Sequence, residues 1–249
     1  MFGQSERLPY DAEVEYIEST GTQYIDTGVP GTDTTNIWLD VYRPSDAVVF
    51  GFGAQGIGWG KNTLCIITGN GFAYWMYGAS VSSTYISTSS TLVGRITFES
   101  NANVLTTRIG ADTKSTTSNG TVPFTTPVNL YLFTRPAGTG GTVDYTNGIS
   151  GSGTRIYGAT ISDNELILRS FTPVRFTNEL GQSEGAMCDR VSGQLFRNAG
   201  SGAFLIGPDK TGGGGNHKCV RRSHRRFLRP SARFCCRHAS HRLLWRDAA

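Results

Sequence analysis

The most constraining feature of this chain is a series of short apolar segments near its C-terminal third, each closed by residues that favour tight turns. The segments cover residues 169–175, 184–196, 198–202 and 204–207. Antiparallel strands that fold back on each other about every 8–12 residues have this pattern. The pattern therefore predicts an all-β fold.

The rest of the chain up to residue 207 has the same character. Residues 36–42 alternate, with one predicted buried face and one predicted outer face: Ile37, Leu39 and Val41 against Trp38, Asp40 and Tyr42. Turn signals at 69–71 and 162–164 predict hairpins. No segment has the apolar spacing of a helix over three turns. We therefore predict a two-sheet antiparallel sandwich.

The sequence divides into three parts by composition. We predict an N-terminal extension at 1–12, a β-sandwich at 13–210, and a glycine linker with an arginine-rich tail at 211–249. Within the sandwich, the polar stretches 111–122 and 137–153 are predicted to be loops.

The net charge of +4 averages two very different segments. Residues 1–216 contain 13 basic and 18 acidic side chains, whereas residues 217–249 contain 10 basic side chains and one acidic. We expect this tail to be disordered, because it has too few apolar residues to form a core. Two interpretations stay open: an unrelated or wrongly framed extension, or a basic segment that binds nucleic acid or an anionic surface. Its Cys and His spacings fit no standard zinc finger.

Localisation is constrained only weakly. No window has about 18 consecutive apolar residues, so we expect no membrane span. The first residues lack a basic segment followed by an apolar one, so we expect no signal peptide in this chain. These expectations suit a protein assembled into a virion, or one at a cell surface or outside the cell by another route.

Both ends of the predicted sandwich resemble a known family. Residues 14–28 are similar to the opening strand pair of laminin-G-like, concanavalin A-like jelly-roll domains, which are common in bacterial surface proteins and bacteriophage structural proteins. Residues 171–173, 187–189, 192–196 and 198–208 are similar to the closing strands of that family. The resemblance covers 13–209 and is loose between 36 and 128. Cys188 departs from it, because the family usually has Tyr there.

The resemblance implies a jelly roll whose first and last strands pair. Such domains mostly bind glycans or proteins, and some relatives are glycosidases. We expect a lectin-like, non-enzymatic adhesion or decoration module on a phage particle or bacterial surface, recognising a glycan or surface protein as a homo-oligomer or larger assembly. The alternatives are a structural virion subunit without a ligand and a glycoside hydrolase.

Aromatic side chains are the candidate ligand-binding residues, because sugar rings stack on exposed aromatic faces. Four of them lie in or beside predicted strands with small polar neighbours: Trp59, Trp75, Tyr77 and Tyr85. The alternative is that these rings belong to the core.

No catalytic residue is predicted. The spacing of Glu13, Glu15 and Glu18 is similar to a glycosidase motif, but strand alternation would place Glu18 on the opposite face. The first 216 residues contain no histidine, so they cannot form a Ser-His-Asp triad.

No metal site and no cofactor are predicted, apart from calcium as an open alternative. Four oxygen donors are available for it, although we expect them to be turn residues: Asp26, Asp33, Asp163 and Asn164. Cys65 and Cys188 are expected to be buried thiols, with a disulfide between them left open.

Overall fold

A computed structural model describes residues 8–55, 62–69, 72–78, 83–87, 92–120, 122–136 and 151–211, with the backbone alone at 83–87. These residues form two antiparallel sheets packed as a sandwich and contain no helix. The predicted all-β sandwich is confirmed. The N-terminal residues 1–7 and the predicted tail from 212 onward lie outside the described residues.

The larger sheet holds eleven strands. They are β1 Ala12–Glu13, β2 Ile17–Ser19, β4 Thr35–Arg43, β9 Gly94–Asn101, β10 Val104–Ile109, β11 Asp112–Thr117, β13 Thr154–Asp163, β14 Leu166–Thr177, β15 Ser183–Asp189, β16 Leu195–Phe196 and β17 Leu205–Ile206. Its main path runs β11-β10-β9-β4-β13-β14-β15-β16, and β2 joins β13 to β17.

The smaller sheet holds six strands in the order β3-β12-β5-β6-β7-β8. They are β3 Ile25–Thr32, β5 Phe50–Ala54, β6 Thr63–Gly69, β7 Phe72–Gly78, β8 Ser83–Ser87 and β12 Thr125–Leu132. The pairing of Gly69 with Phe72 and of Asp163 with Leu166 confirms both predicted hairpins.

The core lies between the two sheets, as the alternation in β4 predicts. Ile37, Leu39 and Val41 are buried, whereas the residues between them are not. Across the core, the rings of Phe50 and Phe98 stack with centroids 6.1 Å apart. Burying each such side chain stabilises the fold by about 1.5–3 kcal/mol. The outer face of β4 is thereby left free for other contacts.

The two ends of the sandwich are hydrogen-bonded to each other. β2 pairs with β17, and Val14 forms a bridge with Asp209. The backbone N–H of Lys210 donates to the carbonyl of Glu13 at 2.9 Å. The expected pairing of the opening and closing strands is therefore present between β2 and β17, whereas β1 pairs with β14.

A second apolar cluster covers one side of the larger sheet's outer face. Val174, Phe176, Ala186 and Cys188 are buried there, with Tyr10 and Leu195 packed against them. The N-terminal segment thus covers the outer face at β14 and β15. The outer face remains accessible at β4, β9, β10 and β13, where polar and aromatic side chains are half-buried or exposed.

The predicted loop at 111–122 is wrong over half its length. Residues Asp112–Thr117 form β11, which pairs with β10 at the edge of the larger sheet. Nearly all of its side chains are exposed, so the strand has no buried face and its sequence lacks alternation. Most of the other predicted loop, 137–150, lies outside the described residues.

Cys65 is a buried free thiol, so no disulfide joins it to Cys188. Burial raises the pKa of the Cys65 thiol to about 12. We expect Cys65 to resist alkylation in the folded protein even at pH 9.0, the ordinary thiol pKa, because only the thiolate is the nucleophile. In denaturant the thiol is exposed and should react promptly. Peptide mapping by mass spectrometry after iodoacetamide treatment measures this residue separately. Equal labelling in both states would contradict the buried position.

The part of the chain that the structure describes contains no helix long and apolar enough to cross a membrane.

Candidate functional site

The accessible outer face of the larger sheet presents aromatic and charged side chains in rows. One row runs across three strands at Arg95, Tyr42 and Arg155, and continues to Glu18 on β2. A second row contains Glu99, Trp38 and Thr160. We call the surface formed by these rows the outer-face site. Its residues lie on neighbouring strands, so the sheet holds their spacing.

Trp38 is the most exposed aromatic ring of the outer-face site. Its exposed fraction is 39%, which is large for a tryptophan on a strand. The ring lies over the backbone of Gly158: a Cβ atom at that glycine would be only 3.3 Å from Cζ3 of Trp38. Glycine therefore allows the indole to approach the sheet closely, while its other side faces solvent.

Tyr157 lies on the same face, at a bulge in β13. The register between β13 and β4 shifts between Ile156 and Gly158, and such an extra residue re-aims the side chains beside it. The Tyr157 ring is 5.4 Å from that of Tyr16, at an interplanar angle of 60°. Two tyrosines far apart in sequence thus become neighbours.

Arginine side chains stack on these tyrosines. The Cζ atom of Arg95 lies 4.0 Å from the ring centroid of Tyr157. The Cζ atom of Arg155 lies 4.3 Å from the centroid of Tyr16 and 5.0 Å from that of Tyr42. Guanidinium groups stacked in this way are fixed in position, because the ring face attracts the cation.

Each of the two arginines also binds a carboxylate. Nε and Nη2 of Arg95 donate to the two oxygens of Asp40 at 2.9 and 2.7 Å, and this hydrogen bonding raises the pKa of Arg95. Nε of Arg155 donates to Glu18 at 2.6 Å. The bidentate pair of Arg95 and Asp40 has defined geometry. Both pairs keep further lone pairs and N–H groups that a ligand could use.

A shallow groove of about 320 Å³ adjoins these pairs, lined by Glu15, Arg95, Tyr157 and Lys210. Glu15 and Lys210 are contributed by the paired ends of the sandwich, since the N–H of Glu15 donates to the carbonyl of Pro208 at 2.9 Å. The groove therefore depends on the pairing of the two terminal segments.

The predicted stacking platform at Trp75 and Tyr77 must be corrected. Their exposed fractions are 0% and 4%, because both side chains point into the space between the sheets. Nε1 of Trp75 donates to the carbonyl of Asn103 at 3.0 Å, and the Tyr77 hydroxyl donates to the carbonyl of Asp33. Both rings are therefore core residues, and neither offers a free face to a ligand.

The other two predicted binding residues are not decided by the structure. Trp59 lies outside the described residues, and Tyr85 is described only as part of the backbone of β8, opposite Tyr74. Their role stays a prediction.

The acidic motif near the N-terminus is arranged differently from the prediction of simple alternation. The strand is interrupted between β1 and β2, so Glu15 lines the groove and Glu18 lies on the same outer face, paired with Arg155. Glu13 instead pairs with Arg190, the nearest atoms being 2.9 Å apart. The irregular backbone at 14–16 is the reason.

The residues considered for calcium have turn roles. Oδ1 of Asp26 accepts hydrogen bonds from the N–H of Gly28 at 2.8 Å and from Nδ2 of Asn129 at 3.0 Å. Asp163 accepts a hydrogen bond from the Thr34 hydroxyl, and Asn164 occupies a left-handed turn conformation with φ of 45°. Among the described residues, no group of three or more acidic, His or Cys side chains could hold a metal ion.

No protein-family model matches this chain, and no curated protein is significantly similar to it. The resemblance to laminin-G-like domains therefore stays a prediction that rests on the residues at the two ends of the sandwich.

Proposed function

We propose that this chain is a non-enzymatic binding module that recognises a glycan through the outer-face site. The observation that carries the proposal is Trp38, an indole 39% exposed on a rigid strand and surrounded by fixed polar groups. Sugar rings have apolar faces and polar edges, so a flat aromatic ring bordered by hydrogen-bonding groups is suited to them.

The arrangement along β4 favours a chain of sugars over a single ring. Trp38 and Tyr42 are four residues apart on one strand, which corresponds to about 13 Å at the usual rise per residue. Asp40 lies between them with its carboxylate held by Arg95. An extended ligand along this line would contact an aromatic ring, a charged pair and a second aromatic ring in turn.

We expect Trp38→Ala to weaken glycan binding by about tenfold or more, since it removes a stacking contact worth about 1.5 kcal/mol. Trp38→Phe should retain part of the affinity. A glycan array identifies the ligand, and calorimetry with that ligand measures the loss.

The matched control is Leu180→Ala, which truncates a side chain 82% exposed in the turn between β14 and β15 and should leave binding unchanged. Equal thermal stability of the variants shows that the fold is intact. A glycan affinity of Trp38→Ala equal to that of the unmodified chain would contradict the proposal.

Display on a bacteriophage particle or bacterial surface is part of the proposal and is supported by the resemblance of both sandwich ends to domains of such proteins. Detection of the chain in purified virions or in a cell-surface fraction tests display, and loss of their glycan binding in Trp38→Ala tests the role of the outer-face site. A symmetric particle that forms without any ligand, and is insensitive to Trp38→Ala, would favour the structural-subunit alternative.

A further inference from the structure

The ligand class of the outer-face site can be specified further if the proposed function holds. We infer that the outer-face site selects uncharged glycans and rejects those that carry carboxylate groups. The basis is the balance of charge across the face.

Every arginine on the accessible strands is matched by a nearby acid. Besides the pairs of Arg95 with Asp40 and Arg155 with Glu18, Nη1 of Arg108 lies 2.6 Å from Oε2 of Glu99. These three pairs occupy β9, β4, β13 and the strands beside them, so they cover the length of the site.

The groove beside the paired ends of the sandwich adds one charge of each sign, from Glu15 and Lys210. Glu15 is exposed beside Arg95. Nζ of Lys210 lies 3.4 Å from the Thr172 hydroxyl and 3.8 Å from the carboxylate of Glu13, which itself pairs with Arg190. Among the described residues, the site and its groove therefore have no excess of cations.

A carboxylated sugar would meet an acid beside every cation. It could bind the free N–H groups of a guanidinium only beside Asp40, Glu99 or Glu18, or by displacing one of them, and in either case that carboxylate would remain next to it. Repulsion of this kind is a common source of specificity. Hydroxyl groups carry no charge and meet no such repulsion, and they can use the free lone pairs and N–H groups of a paired carboxylate and guanidinium.

The test compares acidic glycans with their own carboxyl-reduced forms, which share linkage and length and differ in charge. Polygalacturonate, alginate and hyaluronate, each with its reduced counterpart, are titrated against the full chain and against Trp38→Ala at low and moderate salt. The comparison with Trp38→Ala is essential, since residues 217–249 contain 10 basic side chains and can attract any polyanion. Only binding that Trp38→Ala abolishes is assigned to the outer-face site.

We expect the Trp38-dependent affinity to be at least about tenfold higher for a reduced form than for its acidic parent, and to change less than about twofold with salt. Asp40→Asn removes the carboxylate that accepts two hydrogen bonds from Arg95, leaving Glu15 as the acid in the groove beside it, and should narrow the affinity difference between reduced and acidic forms. Stronger Trp38-dependent binding of an acidic form than of its reduced form, or a steep salt dependence of the Trp38-dependent binding, would overturn the inference. The proposed glycan binding would still stand. Absence of Trp38-dependent binding to every glycan, including those on the array, would remove the proposed function and this inference with it.

Discussion

Gly53→Ala is expected to destabilise the sandwich by about 3 kcal/mol or more, through backbone strain and overpacking together. Gly53 lies in β5 with φ of 117°, a conformation that L side chains rarely adopt. An added Cβ atom would lie 2.1 Å from the carbonyl oxygen of Leu64 and 2.6 Å from Cα of Cys65. Both contacts are with backbone of the neighbouring strand, which cannot move without disturbing its own pairing. The free energy of unfolding in urea measures the effect.

Gly94→Ala is the matched control, because Gly94 has φ of 101° and an added Cβ atom there would have no neighbouring atom within 4 Å. Gly94→Ala should lower the free energy of unfolding only by the backbone strain, about 1–2 kcal/mol. Losses of equal size in the two variants would mean that β5 and β6 separate easily, contrary to the close approach described.

Asp189→Ala is expected to cost about 3–5 kcal/mol, because it removes a buried charged acceptor from three backbone donors. The Asp189 carboxylate is fully buried. It accepts hydrogen bonds from the N–H groups of Ser170, Val191 and Ser192 at 2.8, 3.1 and 3.2 Å, and from the Ser192 hydroxyl at 2.6 Å. The carboxylate therefore joins the turn after β15 to the neighbouring strand β14.

Asp189→Asn should lose less stability than Asp189→Ala, since the amide oxygen still accepts hydrogen bonds. Some loss remains, because the amide NH2 group faces donors. Asp209→Asn is the control, because that side chain is 55% exposed in its ion pair with Arg175 and little change is expected. Urea unfolding of the three variants ranks them. A stability of Asp189→Ala close to that of Asp209→Asn would show that the turn does not depend on this carboxylate.

The strands and the hairpins could be predicted because local patterns determine them. Alternation in β4 placed Ile37 and Val41 in the core, and the Asp-Asn turn signal after Ser162 marked the β13–β14 hairpin. The closing motif at 187–189 also has a local cause, since Asp189 binds the turn that follows it. Strand β11 was missed because an edge strand exposed on both faces needs no apolar residue.

The binding residues could not be predicted equally well, because burial depends on which face of a strand meets the other sheet. Trp75 and Tyr77 alternate with Tyr74 and Met76 along β7, so both faces of the strand carry large side chains, and only the fold shows that the face of Trp75 and Tyr77 points to the core. The outer-face site had one visible signal: the alternation that buries Leu39 must expose Trp38 and Asp40. Tyr157 had an ambiguous signal, because alternation from the buried Ile156 places it outward while alternation from the buried Ala159 and Ile161 places it inward, and the register shift against β4 lies between the two.

The pairing of the two ends of the sandwich has a mechanical consequence. Glu13 bonds to Lys210 and Glu15 to Pro208, so the two segments run antiparallel and leave this pair on the same side. The first segment is also held to β14, because the N–H of Asp11 donates to the carbonyl of Arg175 and the N–H of Val14 to that of Pro173. Tension applied to the two segments would therefore be shared between β14 and the Glu13–Lys210 pairing, so two sets of backbone hydrogen bonds keep the groove in shape under load.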